Sequence, residues 1–146
     1  MPDHGDVQTL GVLEACLYAE DLEAGERFYT EALGLEPFAR EEGRHVFFRC
    51  GGSQVFLLFD PRRTRQDGSG SVPVPSHGAT GPGHVAFAIG ESALDAWRAR
   101  LADHGIAIEA EIAWPRGGRS LYVRDPAGNS VELATPSLWG FADRGG

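Results

Sequence analysis

The length, composition and charge of this chain limit what it can be. Its 146 residues suffice for one domain with one proper core, and 42% hydrophobic and 23% charged residues are ordinary globular values. A formal net charge of −8 argues against a nucleic-acid partner, because binding phosphates requires clustered lysine and arginine. No apolar run approaches the roughly 18 residues of a membrane span, and the start, MPDHGDVQ, does not resemble a signal peptide. We therefore expect a cytoplasmic protein that binds neither nucleic acid nor membrane.

The first predicted unit begins with an alternating strand and an amphipathic helix. Asp21 is well placed as the helix N-cap, an apolar stripe of roughly 3.6-residue period follows, and Gly34 suits the left-handed residue that ends the helix. A short apolar segment resumes after Gly34, and two more strands are predicted at 44–50 and 54–59, separated by Gly-Gly-Ser, which is a hairpin signal. The segment 61–82 is rich in glycine, proline and serine and is predicted to be a linker, of a length that often forms a lid or binding element.

The second predicted unit repeats this order. A strand over GHVAFAI precedes a helix with Ser92 as N-cap and Gly105 at its end, and three more strands are predicted at 108–114, 120–124 and 130–134. The last two strands are joined by DPAGN, a strong turn signal because proline presets φ while glycine and asparagine tolerate positive φ.

These elements predict an α+β fold built from two βαβββ modules. Both modules belong to a single domain over residues 8–140, with module one at about 10–60 and module two at about 83–137. The linker 61–82 joins them.

Side-chain parity predicts which residues face a cleft. Strand side chains alternate between faces, and in each strand the larger aliphatic set is expected against a helix. The other face then combines small residues with a ligand-type side chain in the first, fifth and last strands: Glu14, His84 and Glu132. Small residues beside an ionisable group are typical of a concave, partly desolvated pocket.

Counting across the two hairpins adds neighbours to this face. The DPAGN turn should place Tyr122 beside Glu132, where it can orient the carboxylate or donate to a substrate oxygen. The Gly-Gly turn should place His45 and Phe47 near Leu58 and Phe56, on the equivalent face of module one. His45 is a candidate acid/base group.

Trp114 and Arg119 flank a second Gly-Gly turn near the mouth of module two. They are candidates to bind an anionic or aromatic substrate, with arginine acting through bidentate hydrogen bonds. A rim loop with a packed tryptophan is an equal alternative.

Three segments resemble the vicinal oxygen chelate superfamily, which includes glyoxalases, bleomycin-resistance proteins and extradiol dioxygenases. LYAEDLEAGERFYTEALGLEP resembles its opening unit, and GPGHVAFAI and YVRDPAGNSVELATP resemble the first and last strands of its second unit. The resemblance covers about residues 10–138 and implies a glyoxalase-like open barrel or cleft that holds a divalent metal. Since many relatives pair two chains to complete the cleft, it also implies a homodimer.

The resemblance implies a ligand set as well. The family's positions fall on Glu14, His84 and Glu132, whereas the last-strand position of module one falls on Phe56, which cannot coordinate and leaves one side open. Related enzymes most often have histidine where this chain has Glu14. Two carboxylates and one imidazole suit Fe²⁺, Mn²⁺, Co²⁺, Ni²⁺ or Zn²⁺, and ligand type does not choose among these metals.

Two functions follow as expectations. The first is a metal-dependent lyase, isomerase or dioxygenase, with Glu132, Tyr122 and His45 catalytic, acting on a small oxygenated substrate that chelates the metal. The second is a metal-free binding protein, like the bleomycin-resistance proteins, that sequesters an aromatic natural product. Its cleft would be lined by four aromatic side chains: Phe47, Phe56, Trp114 and Tyr122.

Overall fold

The computed structural model describes Gly5, residues 7–66 and residues 72–145. The predicted linker residues 67–71 lie outside the described residues. The strands are β1 (Glu14–Tyr18), β2 (Glu36–Glu41), β3 (His45–Cys50), β4 (Gln54–Phe59), β5 (His84–Ala88), β6 (Ala110–Ala113), β7 (Arg119–Arg124) and β8 (Ser130–Ala134). The helices are α1 (Leu22–Arg27), which continues as a π-helical turn (Phe28–Ala32), α2 (Pro61–Thr64), and α3 (Leu94–Asp103), with 3-10 turns at Glu91–Ala93 and Pro136–Trp139.

The strands form two four-stranded sheets of the same topology, ordered β1-β4-β3-β2 and β5-β8-β7-β6. In each sheet the first strand pairs parallel with the last, and the other pairs are antiparallel. The predicted α+β fold of two βαβββ units is confirmed, and the two sheets are not closed into a barrel. None of the described helices combines the length and apolarity that crossing a membrane would require.

The predicted start of α1 is confirmed, whereas the predicted start of α3 is wrong. The Asp21 carboxylate accepts a hydrogen bond from the Ala24 amide at 3.1 Å, and Gly34 follows the helix with φ of 75°. Ser92 does not cap α3, because it lies inside the 3-10 turn that precedes the helix, and Ala93 is the N-cap residue. Gly105 ends α3 with φ of 68°, as predicted.

A hydrophobic core cluster contains side chains of both modules. The Phe56 ring lies 4.7 Å from Tyr29 in its own module and 5.4 Å from Phe87 of the second module. Leu101 of α3 and Leu121 of β7 are fully buried in the same cluster. Since these side chains come from the helix-covered faces of both sheets, the opposite faces remain available. We call these the open faces; they carry Glu14, Cys16 and Tyr18 in β1 and His84, Ala86 and Ala88 in β5.

Hydrogen bonds of the DPAGN turn also connect the two modules. The Tyr29 hydroxyl donates to Asp125 Oδ2 at 2.7 Å, and Asn129 Nδ2 donates to the same oxygen at 2.9 Å. Asn129 also donates to the Tyr18 carbonyl at 3.1 Å and accepts from the Gly83 amide at 2.7 Å. Burial and the charge of Asp125 raise the pKa of Tyr29, which therefore stays a neutral donor.

The predicted pairing across the Gly-Gly hairpin is wrong by one residue. His45 pairs with Phe59 and Phe47 with Leu57, not with Leu58 and Phe56. The three-residue turn pairs Cys50 with Gln54, which fixes this register. Phe56 is consequently a core residue at 1% exposure and does not line the open face of the first sheet.

Candidate metal and substrate site

His84 and Glu132 come together on the open face of the second sheet. The parallel β5–β8 register pairs Ala86 with Glu132 and His84 with Ser130, so the carboxylate and the imidazole lie two pairs apart on the same face. His84 Nε2 lies 3.2 Å from Glu132 Oε1, with side-chain exposures of 51% and 8%. The buried carboxylate and the accessible ring thus form the floor of an open site.

Hydrogen bonding assigns the protons of His84. Its Nδ1 lies 3.1 Å from the Ser130 carbonyl oxygen, which can only accept, so Nδ1 carries a hydrogen. In the neutral imidazole Nε2 then presents a lone pair to Glu132 Oε1, and two acceptors facing each other require a cation. This cation is either a proton on Nε2 or a metal ion, and ligand atoms around one transition metal lie about 3.0 to 3.4 Å apart, given bond lengths of about 2.1 Å. The observed separation of 3.2 Å fits.

The second oxygen of Glu132 is held by Ser120, which the sequence reasoning missed. Ser120 Oγ lies 2.5 Å from Glu132 Oε2 and accepts the Trp114 indole N–H at 2.8 Å. A buried serine two residues before Tyr122 shares its face of β7, so parity could have identified it.

Tyr122 pairs with Glu132 in the β7–β8 ladder, as predicted. Its ring stacks on His84 with centroids 6.3 Å apart and planes 22° apart. Burial, followed by the charge of Glu132, raises the pKa of Tyr122. The phenol is therefore a proton donor at neutral pH and not a base.

A cavity of about 890 Å³ opens above these groups. His84, Tyr122 and Glu132 line it together with Trp114. Its other walls are mostly apolar and include Ala86, Ala88, Leu138, Trp139 and Phe141. The site thus combines polar groups at one end with a large apolar volume, as small-molecule sites commonly do.

Glu14 does not join His84 and Glu132 within one chain. It lines a smaller cavity of about 160 Å³ that adjoins the large one and shares Ala86 and Phe87 with it. Over residues 7–66 and 72–145, no three His, Cys, Asp or Glu side chains come close enough to hold one metal ion. Of the three predicted ligands, two, His84 and Glu132, are neighbours within one chain.

The register also corrects the position in module one that corresponds to Glu132. In the second sheet Ala86 pairs with Glu132, and in the first sheet the matching pair is Cys16 with Leu57. The equivalent residue is therefore Leu57 and not Phe56. Leucine cannot coordinate a metal either, so this position still supplies no ligand.

The remaining predicted residues lie away from the large cavity. His45 stacks on Phe47 with ring centroids 4.0 Å apart, in the first sheet, and accepts a hydrogen bond from Arg44 at 2.7 Å. Burial and the charge of Arg44 lower the pKa of His45. Arg119 is exposed on the rim, where its backbone amide donates to Thr135. Neither His45, Phe47 nor Arg119 lines the cavity that contains Glu132.

A second polar pair lies on the open face of the first sheet. The Tyr18 hydroxyl and His77 Nδ1 are 2.7 Å apart, and the His77 ring meets Phe59 edge-on at 4.7 Å. Burial raises the pKa of Tyr18 to about 12. His77 thereby attaches part of the predicted linker to the sheet.

Paired βαβββ units with open-faced sheets, and an imidazole and a carboxylate together on one of them, define a glyoxalase-like protein with a candidate metal site. The chain belongs to the glyoxalase/bleomycin resistance protein/dioxygenase superfamily, whose family model matches residues 11–133. The resemblance recognised in the sequence is thus confirmed.

Three similar proteins illustrate this membership. The crystal structure of a lactoylglutathione lyase from Agrobacterium tumefaciens is 43% identical, with a TM-score of 0.85, and the match covers 92% of this chain and 100% of that one. The metallothiol transferase FosB of Shouchella clausii (strain KSM-K16) is 27% identical over 130 residues, which are 88% of this chain and 82% of that protein. A glyoxalase/bleomycin resistance protein/dioxygenase structure from Nocardioides is 25% identical, with a TM-score of 0.68, over 96% of this chain and 91% of that one.

Proposed function

We propose that this chain is a metal-dependent enzyme that acts on a small oxygenated substrate through chelation of the metal. The observation that carries the proposal is the separation of 3.2 Å between His84 Nε2 and Glu132 Oε1, which lie together on one open face. Similarity to a lactoylglutathione lyase and to a metallothiol transferase supports a metal-dependent enzyme at the level of the family.

His84 and Glu132 would hold the metal, and Glu14 would supply a third ligand. Imidazole and carboxylate suit Fe²⁺, Mn²⁺, Co²⁺, Ni²⁺ or Zn²⁺. When bound, such an ion acts as a Lewis acid that stabilises negative charge on a substrate oxygen. Leucine at position 57 leaves the fourth side free for substrate or water.

The proposed functional unit is a homodimer in which Glu14 comes from a second copy. Glu14 is exposed, and within one chain it lies in a separate cavity. Large apolar side chains around the cavities are also exposed, among them Leu13 at 70%, Trp139 at 76% and Phe141 at 64%. A second sheet laid over the open face would cover these side chains and bring another Glu14 toward His84.

Tyr122 would donate its phenolic hydrogen to the substrate. Its raised pKa keeps the proton on the oxygen, and its ring lies against His84, so the hydroxyl and the metal site belong to the same cavity. The apolar walls would hold the part of the substrate that does not chelate. Glu132 is fixed by Ser120 and would serve as a metal ligand.

Elemental analysis of the purified protein tests the proposal. We expect about one equivalent of a transition metal per chain, lost in Glu132→Ala and retained in Glu109→Ala, which removes an exposed carboxylate paired with Arg124. Metal-free wild-type protein that also fails to bind added Fe²⁺, Mn²⁺, Co²⁺, Ni²⁺ or Zn²⁺ would refute it.

Mixing two inactive variants tests the shared site. If Glu14 and Glu132 of one site come from different chains, a heterodimer of Glu14→Gln with Glu132→Gln contains one intact site and one doubly altered site. Random exchange then restores about a quarter of the metal sites, because half of the dimers are mixed. No restoration after demonstrated exchange of subunits would show that each site is made within one chain.

The apolar cavity favours one other function, sequestration of a planar aromatic molecule without metal. Trp114 and Tyr122 line this cavity, although Phe47 and Phe56 do not. Thermal stabilisation of metal-free protein by planar aromatic ligands, abolished by Trp114→Ala, would favour the binding protein over the enzyme.

A further inference from the structure

We propose that Ser120 and Trp114 form a relay that positions Glu132, so that Oε2 is occupied by protein and Oε1 is reserved for the metal. This inference rests on the proposed function, because it assigns a purpose to the metal-binding carboxylate. Ser120 is the positioning residue, and Trp114 fixes the direction of its hydroxyl.

The direction of each hydrogen bond in the relay is fixed by chemistry. The indole Nε1 of Trp114 can only donate, and an ionised carboxylate can only accept. Ser120 Oγ, between them at 2.8 Å and 2.5 Å, must therefore accept from Trp114 and donate to Glu132 Oε2. His84 lies at the other end of the carboxylate, with its Nε2 3.2 Å from Oε1.

Ser120 and Glu132 are buried, and Trp114 is half-buried at the cavity wall. Ser120 has 0% exposure and lies on β7, an interior strand of the second sheet, where it pairs with Ala134. The turn after Trp114 is closed by two hydrogen bonds, from the Trp114 amide to the Gly118 carbonyl and from the Gly117 amide to the Trp114 carbonyl, both at 3.0 Å. A carboxylate held in this way would offer Oε1, and not Oε2, to a metal.

The relay connects the wall of the substrate cavity to the metal ligand. Trp114 lines the cavity, and only one serine hydroxyl separates its indole from Glu132. A substrate that packs on Trp114 would therefore contact the residue whose indole directs the Ser120 hydroxyl toward Glu132. Partners that orient metal ligands commonly contribute about 10- to 100-fold to metal affinity.

Metal affinity of the intact protein, measured by competition with a chromophoric chelator, tests the relay. We expect Ser120→Ala to weaken binding about 10- to 100-fold, Ser120→Thr to restore it to within about threefold, and Trp114→Phe to weaken it about three- to tenfold. Ser137→Ala is the matched control, because that serine also donates to a glutamate, Glu91, but in an exposed pair. Its affinity should equal that of the wild type.

A second readout reports the relay without metal. The indole N–H resonance of Trp114, assigned by its loss in Trp114→Phe, should move in both Ser120→Ala and Glu132→Gln and stay unchanged in Ser137→Ala. Two results would overturn the relay while leaving the proposed function intact. One is wild-type metal affinity in Ser120→Ala. The other is a Ser120→Thr variant that does not recover affinity, together with a Trp114 indole resonance that does not move in Ser120→Ala. Wild-type protein that binds no metal would overturn the proposed function, and the relay's purpose with it.

Discussion

Replacing Tyr29 with phenylalanine tests the account of how the two modules are joined. The hydroxyl is fully buried and donates to Asp125 Oδ2 at 2.7 Å, in a network that crosses from the π-helical turn after α1 to the DPAGN turn. The substitution removes this donor and leaves the ring in the core. It therefore isolates one hydrogen bond to a buried carboxylate.

The expected loss of stability follows from the contacts that remain. Hydrogen bonds to charged groups contribute about 1.5 to 3 kcal/mol. Asp125 Oδ2 keeps the Asn129 amide at 2.9 Å, so the carboxylate is not left without a partner and the cost should be about 2 kcal/mol. For a chain of this size the melting temperature should fall by roughly 4 to 8 °C.

Urea unfolding followed by circular dichroism measures this free energy. Tyr18→Phe is the matched control, because its hydroxyl bonds His77 at a partly buried position, and its cost should stay below about 1 kcal/mol. If Tyr29→Phe unfolds within about 0.5 kcal/mol of the wild type, the proposed cross-module role of this hydrogen bond is wrong.

Three further outcomes follow from the structure. Phe56→Ala should cost about 3 to 5 kcal/mol in urea unfolding, since Phe56 is a core residue; a loss below about 1 kcal/mol would contradict its burial. Gly118→Ala should cost more than about 1 kcal/mol, because φ is +89° and a Cβ would lie 2.5 Å from the Leu138 nitrogen; Gly52→Ala, in open space, should be nearly neutral. Between about pH 9 and 11 the free energy of unfolding should fall, because Tyr29 ionises near its ordinary pKa of 10.0 when unfolded and above it when folded; an equal slope in Tyr29→Phe would exclude this cause.

The fold was largely predictable because its signals are local. Asp21 and Gly34 mark the ends of the first helix, and DPAGN fixes the last hairpin, so the pairing of Tyr122 with Glu132 could be counted from the sequence. The π-helical turn after α1 has no comparable signal, since it depends on how Tyr29 packs between the modules.

The candidate site was predictable only where the alternation of side chains along a strand was enough to place a residue. Counting placed His84 and Glu132 on one face, and their contact follows from the parallel pairing of β5 with β8. The same counting failed at Phe56, because the predicted hairpin register was shifted by one residue from the observed one. Parity places Ser120 on the face of Tyr122, but a small polar residue in a strand does not show which group it bonds until its neighbours are known. The position of Glu14 depends on how open faces meet, which the sequence of one chain does not specify.

The most direct test of the central claim is anomalous diffraction from crystals grown with a transition metal, recorded on both sides of its absorption edge. We expect one strong peak per chain at about 2.0 to 2.2 Å from both His84 Nε2 and Glu132 Oε1. The peak should disappear in Glu132→Gln. Crystals with no anomalous peak at this pair, or with a peak that persists in the variant, would contradict the claim that these two atoms face each other to hold a metal.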